Sequence, residues 1–121
     1  MLINLSNHPS TQWKKKQLSS AKRKFGQIVD IPFPYISPYA SSQQVKRKAE
    51  TYLKKIKSIF KNSLDKNNAV HLMGEFTFAF YLYEMLKKNN IQVVVSTTDR
   101  IVEEKDGKKI VSFNFVKFRV I

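Results

Sequence analysis

Short apolar runs alternate with helix-spaced stretches along this chain, and that alternation restricts its fold more than any other feature. Leu2-Ile3-Asn4-Leu5 reads as a strand running into the polar loop Ser6-Asn7-His8-Pro9-Ser10. Ser10 or Thr11 then caps a helix predicted to reach Phe25, where Gly26 stops it. Gln27 to Phe33 forms a second strand around Ile28, Val29 and Ile31. It closes at Pro32-Phe33-Pro34, because proline donates nothing to a sheet ladder. Past Pro38 and Ser41-Ser42, the longest helix runs from about Gln43 to Lys61. Val45, Ala49, Tyr52, Leu53, Ile56, Ile59 and Phe60 share its apolar stripe, and nearly all its lysines lie off it.

Asp65-Lys66-Asn67-Asn68 is a turn, and Ala69 to Met73 a third strand that is apolar except at His71. The stretch Gly74 to Asn90 is ambiguous. Its aromatic content argues for strand, whereas its length, the closing Lys87-Lys88 and the Asn89-Asn90 stop argue for a buried helix, which is the expectation. Ile91 to Val95 is a fourth strand, ending in a loop Ser96-Thr97-Thr98-Asp99-Arg100. Ile101 to Glu104 and Lys109 to Val120 pair as a hairpin around Asp106-Gly107, with Phe113, Phe115 and Phe118 on the face turned to the core. The order β-α-β-α-β-α-β then β-β predicts an α/β fold: a small Rossmann-like sheet, helices on both faces and a C-terminal β-hairpin.

With 121 residues, 42% of them hydrophobic, the chain can bury a core as one domain over residues 1–121 and is not intrinsically disordered. The absence of Cys removes disulfides, thiolate metal sites and Cys nucleophiles together. Met1 to Leu5 is too short for a secretory leader, and the longest apolar run, Phe76 to Tyr83, is too short to cross a bilayer. A soluble, cytoplasmic protein without membrane contact is expected. Charge is the most telling quantity. The net charge is +13, and residues 1–62 hold 13 basic against 2 acidic side chains while residues 63–121 hold 9 against 7. That asymmetry fits an anionic partner, nucleic acid or nucleotide before membrane; it also fits a lysine-rich surface that only maintains solubility.

Ligands of open α/β sheets bind beyond the carboxyl ends of the strands, and three polar segments are expected there. These are Ser6-Asn7-His8, Gly74-Glu75 with Thr77 close behind, and Ser96-Thr97-Thr98 followed by Arg100. Hydroxyls and free amides suit phosphate or ribose oxygens, and Arg100 suits a phosphate; the same Ser and Thr residues could simply shape a turn. His8 is the candidate for proton transfer, or else a loop cap. His71 reads as a satisfied core histidine, and Glu75 as a first-turn acid that could instead touch a base edge or serve as a general base. No metal-ligand spacing, GxGxxG, P-loop or nucleophile elbow is present, so no metal and no cofactor is expected. Lys14-Lys15-Lys16 and Lys22-Arg23-Lys24, beside Trp13, form either a polynucleotide-binding surface or a solvated helix face.

Met73-Gly74-Glu75-Phe76-Thr77-Phe78, Ser96-Thr97-Thr98-Asp99-Arg100, Ser112 to Arg119 and the opening Asn4-Leu5-Ser6-Asn7-His8-Pro9 together resemble small CRISPR-associated Rossmann-fold (CARF-like) proteins of the ring nuclease type. The resemblance covers about half of the chain. It implies a homodimer in antiviral defence holding one cyclic oligoadenylate across its two-fold axis, with metal-independent cleavage by the ligand's own 2′-hydroxyl. The catalytic set it implies, with the residue reading, is His8, Ser96 and Thr97. The ligand-binding set is Ser6, Asn7, Gly74, Glu75, Thr77, Thr98 and Arg100. A non-enzymatic, basic nucleic-acid-binding or assembly protein is the alternative.

Overall fold

The computed structural model describes residues 1–121. Five strands, β1 (Leu2–Ser6), β2 (Ile28–Asp30), β3 (Ala69–Met73), β4 (Gln92–Lys105) and β5 (Lys108–Val120), and three helices, α1 (Lys15–Phe25), α2 (Ser42–Lys61) and α3 (Phe76–Lys88), make up the fold. The strands form one sheet in the order β2-β1-β3-β4-β5. β2, β1, β3 and β4 are mutually parallel, and β5 returns antiparallel along β4. The expected small Rossmann-like architecture with its terminal hairpin is what the chain adopts.

Strand order explains the layering. The chain moves outward from β1 to β2, then returns past β1 to β3 and on to β4. Crossovers of one hand in opposite directions place their helices on opposite faces. One face buries Ile3, Leu5, Val70, Leu72 and Val93 under Val45, Ala49 and Ile56 of α2 and Phe78, Leu82 and Leu86 of α3. The other buries Leu2, Ala69, Val94 and Phe118 under Trp13 and under Ala21 and Phe25 of α1. The order reverses between β1 and β3, which is where a sheet of this kind opens a crevice at its carboxyl edge.

The helix starts show local causes. At α2, the Ser41 hydroxyl accepts from the Gln44 N–H while the Gln44 side chain accepts from the Ser41 N–H, a reciprocal capping box. At α3, the Glu75 carboxylate accepts from the N–H groups of Thr77 and Phe78. The aromatic-rich stretch is therefore a capped helix, as its length and stop signals predict. α1 begins later than the sequence predicts. Ser10–Gln12 forms a 3₁₀ turn, Trp13 is extended, and the helix opens at Lys15 with no side-chain cap on Lys14. Ser10 lies inside that 3₁₀ turn, away from the start of α1, and its N–H and hydroxyl both donate to the Asp30 carboxylate. Burial of Trp13, whose indole donates to the His8 carbonyl, fixes the break.

Two further boundaries differ. β2 covers only Ile28–Asp30 of the longer span expected. More consequentially, Ser96 to Arg100 is not a loop: β4 runs unbroken through it and pairs with β5 along its length. Thr97 pairs with Lys117 and Thr98 with Phe115, so Val116 is the extra residue of a bulge. The bulge restores the alternation, bringing Phe113, Phe115 and Phe118 to the face that carries Thr98 and Ser96. Phe118 is buried there, while Phe113 remains largely exposed. Asp106 and Gly107 both take positive φ, 54° and 75°, as a two-residue hairpin turn requires. No helix is long and apolar enough to cross a membrane.

Candidate functional site

Asp30, Asn4 and His71 occupy one row across β2, β1 and β3, because Asn4 is in register with Asp30 on one side and His71 on the other. On the strands these positions alternate with core residues, so they lie on the α1 face. Asn4 and His71 retain 1% and 3% of their surface. Burying such groups is tolerable only if each polar atom is paired, and every buried side-chain nitrogen and oxygen in the protein is.

The pairing fixes the orientation of each group. Asn4 Nδ2 donates to Asp30 Oδ1 at 2.8 Å and to the His8 carbonyl at 2.9 Å. Both partners are acceptors, so the amide nitrogen must face them. Asn4 Oδ1, an acceptor, lies 2.9 Å from His71 Nδ1, which therefore carries the proton. His71 Nε2 is left with its lone pair, and Ser96 Oγ donates to it at 2.7 Å. Ser96 Oγ in turn accepts from Gln17 Nε2 of α1 at 3.0 Å. A carboxylate, an amide, an imidazole and a hydroxyl are thus connected in series.

Electrostatics keep this series in one state. Burial, with the nearby His8 as a smaller cause, pushes His71 down to about 4, so its imidazole is neutral across the physiological range. Burial acts to raise Asp30, but hydrogen bonds from the Ser10 hydroxyl, the Asn4 amide and the Ser10 N–H outweigh it and hold the carboxyl below its ordinary value. The rings of Trp13 and Phe118 stand nearly perpendicular to the His71 ring at centroid distances of 5.4 and 5.7 Å.

A cavity of about 620 Å³ opens onto the Ser96 end of this series, at the carboxyl ends of β1 and β3 and alongside Ser96 and Thr98 within β4. It is lined by Ser6, His71 and Ser96, by Asn7 and His8, by Lys14 and Gln17 at the start of α1, and by Trp13, Phe113 and Phe115. α1 opens with no acidic residue in its first turn and no cap, and Lys14, Lys15 and Lys16 stand at its positive end. Like charge there is unfavourable for the helix dipole, and an anion in the cavity would offset it.

The residues singled out from the sequence divide between this cavity and other places. Ser6, Asn7, His8, Gly74, Ser96 and Thr98 line it. Thr97 does not: its hydroxyl donates to the Lys117 carbonyl at 3.1 Å and accepts from the Lys117 N–H at 3.2 Å, on the opposite face of the hairpin. Glu75 caps α3, and with Thr77 it borders a separate hollow beside Ser37 and Pro38. Hydrogen bonds from the Phe78 and Thr77 N–H groups hold the Glu75 carboxyl below its ordinary value, although burial acts the other way. Arg100 pairs with Phe113 further out on the hairpin and does not line the cavity. The backbone of His8 is a hub: its carbonyl accepts from Asn4 and from the Trp13 indole, while its ring stands exposed at the cavity wall. His71 is satisfied at both nitrogens, as a core histidine should be, yet it also borders the cavity. Asn4, Asp30 and Gln17 join the site without being candidates from the sequence. The available signal was the pair of polar residues, Asn4 and His71, inside two otherwise apolar strands.

A second hollow of about 410 Å³, between Tyr35, Tyr39 and the start of α2, brings no acid–base pair together. No three His, Asp or Glu side chains converge as a metal-ligand set. No curated protein matches the chain. The model of the uncharacterized protein MJ1673 family matches residues 1–119, and the chain belongs to that family.

Proposed function

We propose that this member of the MJ1673 family binds an anionic nucleotide of the cyclic oligoadenylate class in the cavity between α1 and the carboxyl edge of the sheet. The observation that carries the reading is the pairing of that cavity with an uncapped, lysine-rich helix start and three flanking aromatic rings. The helix start suits phosphate, and Trp13, Phe113 and Phe115 suit adenine faces. About 620 Å³ accommodates one or two nucleotides and not a ring of several, so a cyclic ligand would be shared with a second copy of the chain. Cleavage, on this reading, is attack of the ligand's 2′-hydroxyl on its neighbouring phosphorus, leaving a 2′,3′-cyclic phosphate. Ser6, Asn7 and Thr98 hold ribose and phosphate there, and His8 and Ser96 border the reacting atoms.

Thermal unfolding in EDTA with cyclic tri-, tetra- and hexa-adenylate, AMP, linear oligoadenylate and long RNA tests this. A specific ligand at a hundredfold excess over its Kd stabilises the fold by about 2.7 kcal/mol, a shift of several degrees. A shift with one ring size and none with AMP supports the reading; no shift with any cyclic ligand overturns it. Stabilisation by long RNA alone favours the second reading, a basic nucleic-acid-binding protein, which the exposed Lys15, Lys16, Lys22, Arg23 and Lys24 of α1 support.

A further inference from the structure

We infer that Ser96 is an activated nucleophile, with His71 as its base, for an ester whose alcohol portion is anionic. This goes beyond ligand binding, because it assigns the protein its own attacking group. The arrangement meets the geometric requirements of such a centre. The nucleophile and base are 2.7 Å apart, and the base is held in the productive tautomer by a third group, Asn4 Oδ1, at 2.9 Å. Asp30 in turn fixes the Asn4 amide at 2.8 Å. All four groups stand on strands of one sheet, and three share a register row, so little motion is needed to reach the reacting geometry.

Ser96 Oγ gives its proton to His71 and accepts one from Gln17, which leaves a lone pair open to the cavity. On attack, the Oγ proton passes to His71 Nε2 as the Oγ–carbon bond forms. Collapse breaks the carbon–oxygen bond of the ester, and the alcohol leaves with the proton from Nε2. Water then gives a proton to Nε2 as it attacks the acyl carbon, and Ser96 Oγ departs and regains that proton. The sum is ester plus water to acid plus alcohol. The helix start with Lys14 favours an anionic leaving portion over a neutral one.

An alkyl fluorophosphonate, which reports serine nucleophiles without knowledge of the substrate, tests the assignment on the full chain by intact mass and peptide mapping. One adduct per chain at Ser96 is expected, absent in Ser96→Ala and slowed about a hundredfold or more in His71→Gln. Because His71 is buried, Asp30→Ala at an exposed carboxylate serves as the second variant: it slows labelling about tenfold by loosening Asn4. No adduct at Ser96 in the folded protein overturns the assignment. Wild-type labelling rates in Asp30→Ala together with a folded His71→Gln overturn it too. Nucleotide stabilisation of unlabelled protein is read separately, so either proposal can fail without the other.

Discussion

Gln17 and Ser96 stand 79 positions apart in the chain and meet in a hydrogen bond of 3.0 Å from the Gln17 amide to the Ser96 hydroxyl. This contact ties the first turn of α1 to β4 across the cavity. Gln17→Ala removes the donor without stranding a buried group, since Ser96 keeps its bond to His71 and opens to the cavity. Loss of about 1 kcal/mol in chemical denaturation is expected. Fluorophosphonate labelling should slow as well, because Ser96 Oγ loses the partner that fixes its position opposite His71.

His71 makes stability depend on pH. Its pKa is about 4 when folded against 6.5 as its ordinary value, so the unfolded chain takes up a proton that the folded chain refuses between those limits. The stabilisation is present above pH 6.5 and is lost as pH falls toward 4, amounting to about 3 kcal/mol for this one group. The groups facing the ring are His8, Asn4, Ser96, Trp13 and Phe118. Denaturation midpoints measured from pH 7.5 to 4 should drop steeply in the wild type and more shallowly in His71→Gln.

Gly74 tests packing against ligand contact. A Cβ at this position would run into the Phe33 ring, which packs edge-on against Phe78 at a centroid distance of 5.2 Å. Gly74→Ala should destabilise the fold by about 1–3 kcal/mol through displacement of Phe33. Ligand stabilisation measured at equal folded fraction should change little. Loss of binding without loss of stability would instead make Gly74 a contact residue.

Much of this architecture was legible because each parallel strand is a short apolar run and each helix carries a stripe or a stop signal. The boundary errors have physical causes. Ser10 resembles a helix cap, but its hydrogen bonds go to Asp30, a partner 20 positions away that no local pattern reveals. Ser96-Thr97-Thr98-Asp99-Arg100 has the composition of a loop. It is a strand because β5 offers it backbone partners throughout, and the bulge at Val116 is invisible until the register is known. The site was half legible for the same reason. Loop residues such as Asn7 and His8 advertise themselves, whereas Asn4, Asp30 and His71 acquire meaning only when three strands fall into register.

Ser96 and Thr97 separate the two faces of β4 in a single experiment. Their hydroxyls are adjacent in sequence, but one points to His71 and the cavity and the other pairs with the Lys117 backbone on the far side. Ser96→Ala leaves His71 Nε2 open to the cavity and water, so the fold should lose no more than about 1 kcal/mol while fluorophosphonate labelling disappears and nucleotide binding weakens. Thr97→Val keeps the β-branched shape that a strand favours but removes both bonds to Lys117, one of them a backbone donor beside the bulge. Binding and labelling should remain within a few-fold of wild type, and amide exchange should rise across 97–117 as the hairpin loosens. If Thr97→Val instead removed ligand binding while exchange stayed at wild-type levels, the cavity on the α1 face would not be the binding site.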